Sequence, residues 1–98
     1  MAAIKLDIAK VFARLPQFLI QSEFVSTEFE RLPLPRGTIH VDGKSCASAV
    51  SLWSNGHCEV AFLSFNTEQK NIEHYEFDSE HAAVEAITHA LKMALEYA

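Results

Sequence analysis

Glycine and proline are scarce, at three residues each in a chain of 98. That scarcity excludes a disordered or linker-like chain, whose composition is built on such residues. Cysteine occurs only twice, as Cys46 and Cys58, which is too few for the disulfide framework of a small secreted scaffold. The longest apolar runs are a few residues, far short of the roughly 18 to 20 of a membrane span. The opening MAAIKLDIAK lacks the charged-then-apolar pattern of an export signal, so the expected location is cytoplasmic, with reduced thiols. Basic residues are in short supply too: eight Lys and Arg stand against 13 Asp and Glu, for a formal net charge of -5. With no Lys/Arg-rich run as a local exception, a phosphate backbone meets repulsion and direct nucleic-acid binding is not expected. Also missing are a GxSxG elbow, a phosphate-cradling glycine loop and an HExxH helix.

What is present is apolar surface. Hydrophobic residues make up 49% of the chain and include seven Phe, enough for one core, and the length leaves no room for a second. Residues 1–98 therefore read as a single domain.

The spacing of Ile8, Val11, Phe12, Leu15 and Leu19 marks one face of an amphipathic helix within the segment from Ile4 to Leu19. Pro16 lacks an amide hydrogen and predicts a kink or break near Leu15. Val25, Thr27 and Phe29 then alternate with Ser26, Glu28 and Glu30, the period of a half-buried strand. The stretch Leu32-Pro33-Leu34-Pro35-Arg36-Gly37 ends it, and a second strand is expected from Thr38 to Val41, closed by an Asp42-Gly43 turn. Ala47 to Trp53 and Cys58 to Phe65 flank Asn55-Gly56, which predicts a hairpin with a type I′ turn. A polar turn at Asn66 to Asn71 leads to a last strand, Ile72 to Phe77. Asp78 or Ser79 can cap a final helix whose stripe is Val84, Ile87, Leu91 and Leu95, broadened by Ala83, Ala90 and Ala94. The expected fold class is α+β: an N-terminal helix, an antiparallel β-meander of four to five strands, and a C-terminal helix packed on the sheet, both helices on one face.

The chemistry-bearing residues do not fall into a catalytic pattern. His40, His57, Cys58, His74, His81 and His89 are metal-ligand types, but His57 and Cys58 are neighbours that point to opposite faces of a strand, and His81 and His89 lie about two helical turns apart. Cys58 or Cys46 beside a histidine could be a nucleophile, yet nothing local supplies an oxyanion hole, and cysteine serves often as a small buried side chain. In IEHYEFDSEH, alternation places His74 and Glu76 on one strand face and Tyr75 and Phe77 on the other. Such a cluster suits acid/base work, and equally a solvated acidic patch. Trp53 and Tyr75 are aromatic types that anchor protein interfaces, and both can also pack in a core. No catalytic, cofactor-binding or metal site is expected.

With SLWSNGHCEV, a strand, a polar turn, EHYEFDSEHAAVEAI and a terminal helix, the second half of the chain resembles the TriTu-type immunity proteins of bacterial polymorphic toxin systems. The similar elements are a Trp before a Gly-containing turn, a strand ending near HYEF, and a Ser/Glu-capped last helix. The resemblance implies a non-enzymatic cytoplasmic protein that binds a cognate toxin or effector domain and blocks its active site or substrate groove. Basic nuclease domains are among such toxins, and an acidic inhibitor can fill a groove that otherwise attracts phosphate. The residues assigned to partner binding are Trp53, Glu73, Tyr75, Glu76 and Asp78, with the chain a monomer or weak homodimer and neither nucleic acid nor membrane as partner. Two other classes stay open at this point: a small acidic secretion chaperone of the type III kind holding an effector, and a small enzyme using Cys58 or the His74/Glu76 pair.

Overall fold

The computed structural model describes residues 6–31 and 33–98. Asp7 opens the first helix, its carboxylate accepting from the Lys10 amide at 3.3 Å, and α1 (Ile8–Ala13) buries Ile8, Val11 and Phe12. The chain breaks at Leu15-Pro16 as expected and resumes as the single turn α2 (Gln17–Ile20), which buries Leu19. Ile4, the expected start of this segment, lies outside the described residues.

Five strands follow: β1 (Val25–Glu30), β2 (Arg36–Asp42), β3 (Cys46–Trp53), β4 (His57–Ser64) and β5 (Lys70–Glu76). They pair in chain order, each antiparallel to the next, so the α+β meander is as the sequence predicts. The last helix, α3 (Glu80–Tyr97), starts at Ser79, whose Oγ accepts from the Ala82 amide at 3.1 Å. Its stripe of Ala83, Ile87, Leu91 and Ala94 is fully buried. Each large member contributes about 1.5–3 kcal/mol by leaving water, and the alanines let the helix axis lie close to the sheet. α3 packs over β2 and β3 and against α1, and the core is completed by Ile39, Val41, Val50, Leu52 and Cys58. No described helix is long and apolar enough to cross a membrane.

Three details differ from the sequence expectation. Strand β5 begins at Lys70, taking in Lys70 and Asn71 from the expected turn, and ends at Glu76. Strand β2 begins at Arg36, two residues before the expected Thr38, so Gly37 sits inside the ladder opposite Leu52 instead of ending a loop. Its lack of a side chain serves helix packing: a Cβ there would stand 2.6 Å from Ile8 Cγ2 and 2.8 Å from Phe12 Cζ. The β3–β4 hairpin forms, but not through a type I′ turn. A type I′ turn needs positive φ at both Asn55 and Gly56, and only Gly56 has it, at 94°. The Gly56 amide bonds to the Trp53 carbonyl at 3.0 Å, and the Asn55 side chain accepts from the His57 amide at 3.0 Å. This is a turn centred on Ser54-Asn55, followed by a left-handed glycine bulge. Any Cβ on Gly56 would meet the Phe77 carbonyl oxygen at 2.2 Å.

Candidate protein interface

The register divides the sheet into two faces. Under the helices lie Cys46, Val50, Leu52, Cys58, Val60, Glu73 and Tyr75; the open face carries Arg36, His40, Trp53, His57, Glu59, His74 and Glu76. Alternation with buried Leu52 turns Trp53 to the open face, and the bulge at Gly56 decides which β4 residue it meets there. Since Leu52 opposes Cys58, Trp53 opposes His57 and stands half-buried on the open face.

There it belongs to a row that crosses four strands. The Arg36 guanidinium lies 5.5 Å from the Trp53 ring centre, Trp53 lies 5.2 Å from His57, and His57 stacks on His74 at 5.6 Å. Carboxylates close the row: Glu30 pairs with Arg36, Glu76 lies 3.6 Å from His57, and Glu59 lies 3.9 Å from His74. Thus His74 and Glu76 share a face as alternation predicts, but each engages a residue of β4 and they do not form a pair with each other. Sequence reasoning missed this row. Its signal is the odd-residue run Trp53, His57 and the even-residue pair His74, Glu76, which converge only once the turn register is known.

Cys58 lies on the other side, 1% exposed, directly opposite Tyr75 across β4–β5. Burial first, then the neighbouring Glu59 charge, pushes its thiol up to about 12. It is a protonated core thiol at neutral pH, and His57 points away from it, so the His-Cys pair is not assembled as nucleophile and base. Burial also raises Cys46, whose Sγ donates to the Ala94 carbonyl at 3.4 Å. The two cysteines are free and sit six ladder positions apart, roughly 20 Å, beyond disulfide reach. Among the described residues no three His, Cys, Asp or Glu side chains converge as they would on a metal ion; His40 and His81 lie beside Glu28 and Glu85 instead.

The most open part of the molecule is the β5 margin. All seven β5 residues are exposed, because α3 runs over β2 and β3 and stands off from the last strand. Between α3 and β4–β5 lies a groove of about 680 Å³. Its walls are Val60, Phe62, Tyr75, Ala86, Met93 and Tyr97, and its ionisable groups are Glu73, Tyr75, Glu85, His89 and Tyr97. Phe62 and Tyr97 meet edge to face at 5.6 Å on its floor. Tyr75 Oη donates to the Glu73 carboxylate, and that hydrogen bond is the main reason its phenol is held above the ordinary range.

The five residues assigned to partner binding are therefore distributed. Glu73 and Tyr75 line the groove, Glu76 stands on the opposite face of the same strand, Asp78 lies in the link to α3, and Trp53 is two strands inward on the open face. Four of the five belong to β5 or the link that follows it; Trp53 does not. The groove itself, and the contribution of α3 through Glu85, Met93 and Tyr97, were not read from the sequence, where Met93 and Tyr97 fall outside the helix stripe and carry no motif. Comparison with known proteins finds no family, no curated protein and no solved structure that matches this chain.

Proposed function

We propose that this chain is an immunity-type inhibitor: a cytoplasmic, non-enzymatic protein that binds a cognate toxin domain of basic character and covers its active site or substrate groove. The observation that carries the reading is the β5 margin, where exposed aromatics and an apolar groove coincide with Glu73, Glu76 and Glu85. Aromatic anchors give contact area at small entropic cost, and a rim of one charge sign steers an oppositely charged partner. The net charge of -5 acts in the same direction.

The test is co-expression with the C-terminal domain of the large secreted protein encoded immediately upstream. Host survival and co-purification with that domain support the reading; death of the host despite full expression of this chain, or the absence of such a neighbour, rejects it. Triple charge reversal at Glu73, Glu76 and Asp78 is expected to weaken the complex by about tenfold or more, with the circular dichroism spectrum unchanged. Unchanged affinity moves the contact away from β5.

The apolar walls of the groove favour a second reading, a secretion chaperone that holds an unfolded effector segment. Such a chaperone works as a dimer, so a strictly monomeric mass in solution scattering counts against it.

A further inference from the structure

The hydrogen bonds of the last hairpin fix which backbone groups of β5 are free. Phe77 donates its amide to the Gly56 carbonyl at 2.9 Å, and Ser64 donates to the Gln69 carbonyl at 3.0 Å. In an antiparallel ladder, residues that exchange hydrogen bonds alternate with residues that do not. Asn71, Glu73 and Tyr75 therefore turn their amides and carbonyls toward β4, while Lys70, Ile72, His74 and Glu76 turn theirs outward, where no described strand pairs with them. Such an edge is a template for a further strand.

We propose that β5 receives an extended segment of the partner protein as a sixth strand, in which Arg or Lys alternates with Val or Ile. The proposal rests on the inhibitor reading for the identity of the partner, and on the geometry of the edge for the mode of binding. Side chains of an added strand alternate between the two faces. Those beside Glu73 and Tyr75 enter the groove, where a long basic side chain can lay its methylene stem along Met93 and Tyr97 and bring its charge to Glu73 and Glu85. Those beside Ile72 reach the open face, where Ala49, Ala61, Leu63 and the 59% exposed Ile72 form an apolar patch rimmed by His40, Asp42 and Lys70. Main-chain bonds give the affinity and the alternating side chains give the selectivity, as in other strand-addition complexes. A second copy of this chain is a poorer occupant, because it brings its own Glu73, Glu76 and Glu85 onto an already acidic margin.

The probe is a capped heptapeptide, acetyl-Thr-Arg-Val-Arg-Val-Arg-Thr-amide, titrated into the isotope-labelled chain. Saturable binding is expected, with amide shifts at Ile72, His74 and Glu76, side-chain shifts at Met93 and Tyr97, and slowed hydrogen exchange at the outward amides of Ile72, His74 and Glu76. Ile72→Pro removes an outward donor without touching a bond to β4 and is expected to weaken binding about tenfold or more; Ile72→Thr keeps that donor and is expected to stay within about threefold. Both variants should retain the native spectrum, since Ile72 is exposed and its amide is not used in the ladder. Equal binding of a peptide of the same composition with its three arginines in succession overturns the proposal, as do shifts confined to the open face, protection of β5 by self-association alone, or no saturable binding. If the peptide fails while charge reversal still weakens the toxin complex, the strand-addition mode falls and the inhibitor reading stands.

Discussion

The sheet has two edges, and they are finished in different ways. At β1 the helical layer reaches the margin: α2 lies against the strand, and the Phe29 ring packs 5.2 Å from Phe12 of α1. Glu28 and Glu30 are turned to His40 and Arg36 of β2. At β5 the helical layer stops short, leaving a groove in place of packing and an entire strand in solvent. The physical difference is where the small residues fall. Gly37 draws α1 down onto the β1–β2 side, and the alanines of α3 bring that helix down over β2 and β3. Nothing comparable draws α3 across β4 and β5, where Phe62 and Tyr75 stand up beneath it. Neither edge carries a further described strand, and Ser26 to Phe29 of β1 are exposed as well; the difference is that helices touch β1, whereas beside β5 they leave a groove.

Paired truncations give the sharpest test of that contrast. Phe12→Ala removes an 8% exposed ring from beneath the β1 side and is expected to cost about 3–5 kcal/mol in urea unfolding. Tyr75→Ala at the open margin is expected to cost less than about 1 kcal/mol, since the side chain is 38% exposed, while abolishing capture of the heptapeptide. Comparable losses of stability at the two sites would erase the distinction.

A smaller effect probes the boundary between core and groove. Cys58 lies beside Tyr75 across the β4–β5 ladder and holds its proton up to about 12, against 9.0 for an ordinary thiol. Between those values the unfolded chain releases a proton that the folded chain keeps, so the unfolded state gains relative stability as pH rises. Its contribution is fully present below pH 9 and is lost progressively toward pH 12. Unfolding midpoints measured across this window should therefore fall for the native chain and fall less steeply for Cys58→Ala. An identical slope in both proteins would mean that the floor of the margin is open to water.

Much of the fold was legible because its signals are local. The helix break at Pro16, the alternation of β3, and the cap at Ser79 each depend on a few neighbouring residues, and each is found where periodicity and turn chemistry put it; β1 forms where expected, but Thr27 and Phe29 are exposed rather than half-buried. The β4 neighbour of Trp53 was not legible, because one residue of turn geometry decides it. Alternation with Leu52 already sends Trp53 to the open face; a two-residue Asn55-Gly56 loop would set Cys58 opposite it, whereas the glycine bulge sets His57 there and puts Cys58 opposite Leu52. Gly37 was read as a terminator, since a glycine after two prolines looks the same in sequence whether it ends a strand or admits a helix. The candidate interface was partly visible as the acidic and aromatic residues of β5. Its groove was not, since that depends on how far α3 extends across the sheet, a property of the whole packed layer.

The smallest expected effect concerns the loop that leads into β5. Glu68 is the one described residue other than glycine with positive φ, at 56°. There its Cβ crowds the backbone, at a cost of about 1–2 kcal/mol that glycine does not incur. Glycine loses more chain entropy on folding, so Glu68→Gly is expected to stabilise by about 0.5–1 kcal/mol, read as a rise in the unfolding midpoint. The loop precedes the free edge and contributes nothing to the groove walls, so heptapeptide affinity should not change. A gain in affinity together with the gain in stability would show that β5 is not preformed and that its order is coupled to its turn. The contrast between the two edges would then become one of stability as well as of covering.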